Sequence, residues 1–183
     1  PSKLRGTCQN DILKQYQTGG GYSFPVRAGM RLSTDVIEYC SRNLPYWTPV
    51  SSAGYFIRDA GSTATQEIAF SVANLAAYVE ATRRRGLDVD QFVSNLSFFP
   101  WTGIDFLEEA AKLRAQRRIW AKIMKEKFGA TNAKAIMARM GVGTGPAELT
   151  AQQPLNNIVR IALKVLAGVL GGAQTVNSMC YDE

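Results

Sequence analysis

Apolar positions along the chain fall into long helical stripes separated by short apolar runs. The clearest stripe is Ile68, Val72, Leu75 and Val79, spaced i, i+4, i+7 and i+11 as on one face of a helix. Thr63-Ala-Thr-Gln66 just ahead of it has the S/T-x-x-E/Q form of a capping box, and Gly86 closes it. Phe106, Leu113 and Trp120 mark a second long helix over 104–128. A third is expected from Thr150-Ala-Gln-Gln153, read as its cap, to Leu170, where Gly171 and Gly172 stop it. Its apolar residues (Leu155, Ile158, Val159, Ile161, Leu163, Val165, Leu166 and Val169) lie on nearly every side, the pattern of a buried helix. Shorter helices are expected over 11–16 and from about Met30 to Asn43.

Between these helices lie the strand candidates: Leu4 to Cys8, Val50 to Ile57, Leu96 to Phe99, the run from Ala135 to Met140, and a last strand from Ala173 to Asn177. Strands alternating with helices predict a parallel α/β fold. A complete (β/α)8 barrel has eight strands and typically about 250 residues. The expectation is therefore a partial (β/α)8 TIM barrel of about five βα units, with its N-terminal strands absent and two unpaired parallel edges. The chain begins at Pro1 without a methionine, which reads as a truncation.

Composition narrows the classes. At 46% hydrophobic and 20% charged, the chain is globular rather than disordered. The net charge of +6 is spread over Arg83–Arg85, Arg114, Arg117, Arg118 and the helix carrying Lys122 to Lys127, interleaved with Glu108, Glu109 and Glu126. That is the pattern of a solvated outer face rather than a nucleic-acid surface; Arg83–Arg85 read as a helix end facing its dipole. Cys8, Cys40 and Cys180 are odd in number and show no C-x-x-C spacing, so neither a disulfide framework nor a zinc site is indicated. With no signal-peptide pattern and no uncharged apolar run of 18 residues, the expectation is a cytoplasmic protein with no membrane partner.

In α/β barrels, functional residues sit at the C-terminal ends of strands. Those ends carry Thr7 and Gln9, Tyr55 to Asp59, Ser97 to Phe99, Arg139 to Gly145 and Gln174 to Glu183. The segments around them read GTCQNDILKQY, GYFIRDAGSTATQEIAFSVANLAAYVEA, LSFF, EEAAKLRAQRRIWAKIMKEKFG, LTAQQPLNNIVR and VLGGAQTVNSMCYDE. They resemble the catalytic barrel of the coenzyme B12-dependent acyl-CoA mutases, the methylmalonyl-CoA mutase family, from about Leu4 to Glu183 and over the middle and later part of that barrel. The resemblance implies a radical carbon-skeleton rearrangement with adenosylcobalamin as cofactor. CoA threads the barrel, and the corrinoid lies against the strand ends.

Carried over by position, Thr7 and Gln9 match polar substrate contacts, and Ser97, Lys134 and Gln174 match CoA contacts. Tyr55 matches the catalytic aromatic wedge between cofactor and substrate. Asp59 and Glu183 match acidic residues near the adenosyl group. The implied partners are an acyl-CoA substrate, a cobalamin-binding small subunit or domain, and a second barrel subunit. The chain has no histidine, so the family's lower-ligand motif is not in it.

The departures lie at the same strand ends. The family's G-Y-H histidine, a donor to the thioester carbonyl, is Phe56, for which core filling is the simpler reading. Its carboxylate-binding arginine is Gly19, which implies a substrate without a free carboxylate. The arginine before L-S-F-F is Asn95, and R-x-H-x-Q-T becomes Arg139-Met-Gly141-Val-Gly143-Thr144. The segment from Gly141 to Gly145 lacks G-x-G-x-x-G spacing and reads as a flexible βα loop rather than a phosphate cradle. Two functions are therefore open: a mutase barrel with degraded polar residues, and a non-catalytic mutase-like subunit with an assembly role.

Overall fold

The computed structural model describes residues 3–19, 21 and 23–182. Among them, five parallel strand lines follow one another in chain order. The first is β1 (Gly6–Thr7). The second is β2 (Trp47–Thr48) and β3 (Ser51–Ser52), interrupted at Pro49. The third is β4 (Ser97–Phe98) and β5 (Trp101–Thr102), interrupted at Pro100. β6 (Gly141–Thr144) and β7 (Thr175–Asn177) complete the series. Proline has no N–H to give to a ladder, so each interruption is a local gap rather than a break in the sheet. Single bonds carry the pairing across: Ser51 N–H donates to Gln9 O at 3.0 Å, Phe98 to Arg139 O at 2.8 Å, and Gly143 to Pro100 O at 3.2 Å. All pairings are parallel.

Helices make every crossover. α1 (Ile12–Gln17) and α2 (Val26–Asn43) join the first two lines. α3 (Gly54–Asp59), α4 (Ala64–Arg83) and α5 (Val89–Phe92) join the next two. α6 (Phe106–Glu126) and α7 (Ala133–Ile136) lead to β6, and α8 (Pro154–Gly171) leads to β7. The fold is thus α/β, as the alternation predicts. The core lies between the strands and this helical layer, with Val50, Phe98 and Val142 packed among Leu75, Val79, Leu113, Trp120 and Met124. Phe98 meets Trp120 edge to face at 5.0 Å. Truncating one of the fully buried leucines to alanine costs about 2–5 kcal/mol.

Beneath this layer runs a buried ionic cluster. Lys112 Nζ donates to Glu67 at 2.7 Å and to Trp101 O at 2.8 Å, and also pairs with Glu109. Glu109 in turn faces Arg58 at 3.5 Å. Two carboxylates and two cations balance, and together they tie α3, α4 and α6 to β5. Burial pushes the Glu67 carboxyl above its ordinary range, with Lys112 opposing the shift.

Several expectations are corrected here. The expected strand over 50–57 ends at Ser52, and Tyr55, Phe56 and Ile57 occupy α3 instead. α2 starts at Val26, directly after Pro25, which is pre-set for a helix entry. The run from Ala135 to Met140 is not a strand; it divides between α7 and the approach to β6. Gly141 to Thr144 are strand β6, not a flexible loop.

The two capping motifs part company. Thr63 and Gln66 form the reciprocal box at 3.2 and 3.0 Å. Thr150 does not cap α8, which begins at Pro154 after Gln153; its hydroxyl donates to Gln152 instead.

α8 is also not buried on all sides. Its polar residues turn inward: Lys164 Nζ donates to Gly145 O at 2.5 Å and pairs with Glu148 at 3.1 Å. Asn157 binds the carbonyls of Thr150 and Tyr181. Leu155, Ile158, Val159 and Val169 face outward, Leu155 with 70% of its surface exposed. By length and composition this helix would suffice to cross a membrane, but a third of it is buried against the rest of the protein.

Candidate functional site

The side of the strands away from the helices is lined by small polar residues. Thr7, Gln9, Thr48, Ser51, Ser97, Gly141, Gln174, Thr175 and Asn177 line one cavity of about 460 Å³ with Tyr55, Phe99 and Arg139. An ordinary (β/α)8 interior is filled by bulky branched residues; here hydroxyls, amides and glycine leave space and hydrogen-bonding capacity. Two-residue periodicity explains the division: Val142 and Val176 point towards the helices, and Gly141, Thr175 and Asn177 point into the cavity.

Five of the residues singled out in the sequence meet here: Thr7, Gln9, Tyr55, Ser97 and Gln174. Gln9 Nε2 donates to the Tyr55 hydroxyl at 2.8 Å, linking the end of the first strand line to α3. Gln174 Oε1 accepts from the Met140 N–H at 2.7 Å, which fixes the amide at the start of β7. The Tyr55 N–H donates to Phe99 O, so the first turn of α3 is anchored on the third strand line.

Tyr55 is the centre of an aromatic platform at the strand ends. Its ring lies 4.2 Å from Phe56, 4.6 Å from Trp101 and, edge to face, 5.5 Å from Phe99. Phe56 is not core filling: 36% of its surface is exposed.

Asp59 stands apart from the main cavity. It accepts from the Trp101 indole N–H at 2.8 Å and lines a smaller cleft of about 240 Å³ with Arg58, Ser62, Gly103 and Glu148. Lys134 is not brought to the cavity; it is exposed on α7, with its backbone N–H held by Asn132. Glu183 lies outside the described residues.

Three further residues were assigned no role from the sequence. Arg139 lines the cavity and reaches Ser94 O at 3.3 Å and Thr48 Oγ1 at 3.5 Å, a cation at the opening strands. Its signal was its place just before the Gly141–Thr144 segment. Trp101, two residues beyond LSFF, had no signal beyond its size. Lys14, one helical turn after Asp11, is buried at the edge of the platform with its ammonium 3.4 Å from the Phe56 ring centre. Burial lowers its pKa, with Asp11 opposing.

These features define a class of protein: an α/β domain with a cavity of small polar residues along its strands and a cluster of aromatic rings at their C-terminal ends. Comparison with known proteins gives the family. The methylmalonyl-CoA mutase family model matches residues 1–183, and the chain belongs to that family. It is 44% identical over 182 residues to the 2-hydroxyisobutanoyl-CoA mutase large subunit of Aquincola tertiaricarbonis, covering 100% of this chain and 32% of that protein. It is 42% identical over 181 residues to methylmalonyl-CoA mutase of Rhizobium meliloti (strain 1021), covering 99% of this chain and 25% of the relative. With the mitochondrial methylmalonyl-CoA mutase of Homo sapiens the figures are 38%, 181 residues, 99% and 24%. The chain thus spans between about a quarter and a third of the length of these relatives.

Proposed function

We propose that the protein works as part of an adenosylcobalamin-dependent acyl-CoA mutase, its strands forming part of a (β/α)8 barrel through which the CoA ester passes. The observation that carries this reading is the polar inner face. Thr7, Ser51, Ser97 and Thr175 leave room along the strands and offer hydroxyls to an amide-rich chain such as pantetheine. Gln174 supplies an oriented amide, and Arg139 a cation, towards the start of the strands.

The residues present fit the cofactor in one respect: the half-exposed ring of Phe56 and the Tyr55 ring offer a flat apolar surface at the strand ends. When bound, adenosylcobalamin supplies the radical that starts the rearrangement. Gln9 holds the Tyr55 hydroxyl and so fixes the wedge, while Phe99 and Trp101 keep water from the reacting end. The metal's protein ligand, the remaining strands and the cobalamin-binding domain or small subunit would lie outside the 183 residues described. A cytoplasmic location fits this assembly.

Phe56 cannot donate a hydrogen bond, Gly141 carries no side chain at the cavity wall, and the place of a side chain at Gly143 is taken by the Trp101 ring. Loss of one oriented donor to a developing oxyanion costs about 10²–10³ in rate. The reading therefore expects CoA-ester binding with slow rearrangement. The test is titration calorimetry of the full-length protein with isobutyryl-CoA, followed by a rearrangement assay with adenosylcobalamin and a cobalamin-binding subunit. Binding weakened by Gln174→Ala supports it, and absence of any CoA-ester binding overturns it.

A further inference from the structure

Two thiols of opposite exposure face each other between the first strand line and α2. Cys8 follows β1 and continues its pairing, its N–H donating to Thr48 O at 2.9 Å. Its neighbours Thr7 and Gln9 both line the main cavity. Side chains alternate across a strand, so Cys8 points the other way, towards the helical layer. Cys40 comes from that layer. It lies on the inner face of α2, three residues after the core residue Ile37, and only 4% of its surface is exposed. Cys8 is exposed, and both are free thiols.

The two stand at one level of the fold. Leu44 ends α2 with its N–H on Cys40 O at 2.8 Å, and the Trp47 N–H returns to Leu44 O at 3.0 Å. Cys40 is therefore one helical turn, about 5 Å, above the point where the chain re-enters the sheet. Trp47 is the register partner of Gly6, and Cys8 lies two residues, about 7 Å, further along that strand. Between parallel strands the crossover helix runs back along the sheet, so both rises are measured from the same end. Burial pushes the Cys40 thiol up, and the Cys8 thiol adds to the shift, which places the two groups within electrostatic reach.

We propose that Cys8 and Cys40 are a thiol pair that a hydroperoxide converts to a disulfide, fastening the first strand line to α2. The thiolate is the nucleophile, and a dissolved peroxide meets exposed Cys8 first. The Cys8 sulfur attacks one peroxide oxygen and the O–O bond breaks. Cys8 becomes a sulfenic acid, and the other oxygen leaves as water or an alcohol. The Cys40 sulfur then attacks the Cys8 sulfur, the S–O bond breaks, the S–S bond forms and water leaves. The two thiols give up two electrons and two protons, which the peroxide takes. Burial shields Cys40 from the oxidant, so it acts as the resolving thiol. Gln9, next to Cys8, holds the Tyr55 hydroxyl, so the bond would form at the strand end that carries the site. The pair stands whether or not the ligand is a CoA ester.

The test treats the folded full-length protein with hydrogen peroxide, blocks the remaining thiols, and maps the tryptic peptides by mass spectrometry. A cross-linked species joining peptides 6–14 and 32–42 should appear, lighter by two hydrogens than their sum. Dithiothreitol should remove it. Cys40→Ser should abolish it and leave a Cys8 sulfenic acid that dimedone traps. Cys8→Ser should abolish it and leave Cys40 as a thiol. Absence of the cross-link in the unmodified protein, or preferential joining of Cys8 to another cysteine, overturns the proposal. Oxidation of Cys40 that proceeds unchanged in Cys8→Ser overturns it as well. Should a serine variant fail to fold, peptide mapping of the unmodified protein decides the matter.

Discussion

The indole of Trp101 fills the space into which any side chain on Gly143 would project. A Cβ at Gly143 would lie 1.8 Å from Trp101 Cζ3, and the two residues are register partners on β5 and β6. The missing side chain at 143 and the large ring at 101 are therefore one feature, a cross-strand pair in which indole takes the room glycine leaves.

Gly143→Ala should then destabilise the protein by about 1–3 kcal/mol through overpacking. Trp101→Gly should lose the ring's contacts with Tyr55 and Phe99, yet tolerate a side chain at 143. In a double-mutant cycle by urea unfolding, Gly143→Ala and Trp101→Gly should couple favourably by about 0.5–3 kcal/mol. Additive effects would show that the two positions adjust independently.

Thr63 and Thr150 stand in the same sequence motif but only Thr63 caps a helix. Thr63→Ala should cost about 0.5–2 kcal/mol. Thr150→Ala, whose hydroxyl donates to exposed Gln152, should cost a small fraction of that. Equal losses in thermal or urea melts would contradict the assignment.

Lys112 neutralises two buried carboxylates, Glu67 and Glu109. Lys112→Met leaves them with Arg58 alone, and breaking such a pair costs about 3–5 kcal/mol. Arg84→Ala, which removes an exposed pairing with Glu80, should change stability by less than about 1 kcal/mol. Denaturant midpoints of the two variants read the contrast directly.

Tyr78 links pH to stability. Its hydroxyl donates to Asp11 at 2.9 Å and accepts from the Leu13 N–H at 2.9 Å. Burial, and then the Asp11 charge, push its pKa far above the ordinary 10.0. A raised folded pKa means stability that is complete below pH 10.0 and lost as pH rises beyond it. Burial also raises the Asp11 pKa from 3.8, so that contribution is largest below pH 3.8 and declines as pH rises through the folded value. Tyr78→Phe should cost about 1–3 kcal/mol at neutral pH by leaving two buried groups unpaired. It should also remove the alkaline loss. An unchanged alkaline slope in urea titrations up to about pH 11 would refute this.

Much of the fold was legible because helices announce themselves over a few turns. The stripe from Ile68 to Val79, the capping box at Thr63 and the glycine stop at Gly172, where φ is +77°, all depend on near neighbours in the chain. The order of strands and helices followed from them. Thr7, Gln9, Tyr55, Ser97 and Gln174 were readable as a group because their strands succeed one another, so residues distant in sequence share one side of the sheet. Lys134 lies apart from this group because its segment forms a short helix that leads into β6.

What the sequence by itself determined was periodicity, punctuation and family. Tertiary structure decided which face of each element meets which neighbour. α8 is apolar on nearly every side, so periodicity cannot say which side packs. Its orientation is set by Lys164 and Asn157, which must find carbonyls and a carboxylate inside, and this leaves Leu155 and Val159 outward. Gly141 to Thr144 read as a loop on composition, yet pairing with β5 and β7 holds them extended, and Trp101 takes the room that glycine leaves. Lys14 carries no signal in the sequence beyond its place in the short helix expected over 11–16. Only the approach of Phe56, 42 positions further along, makes it a buried cation at the edge of the site, because burial is a property of the packed whole.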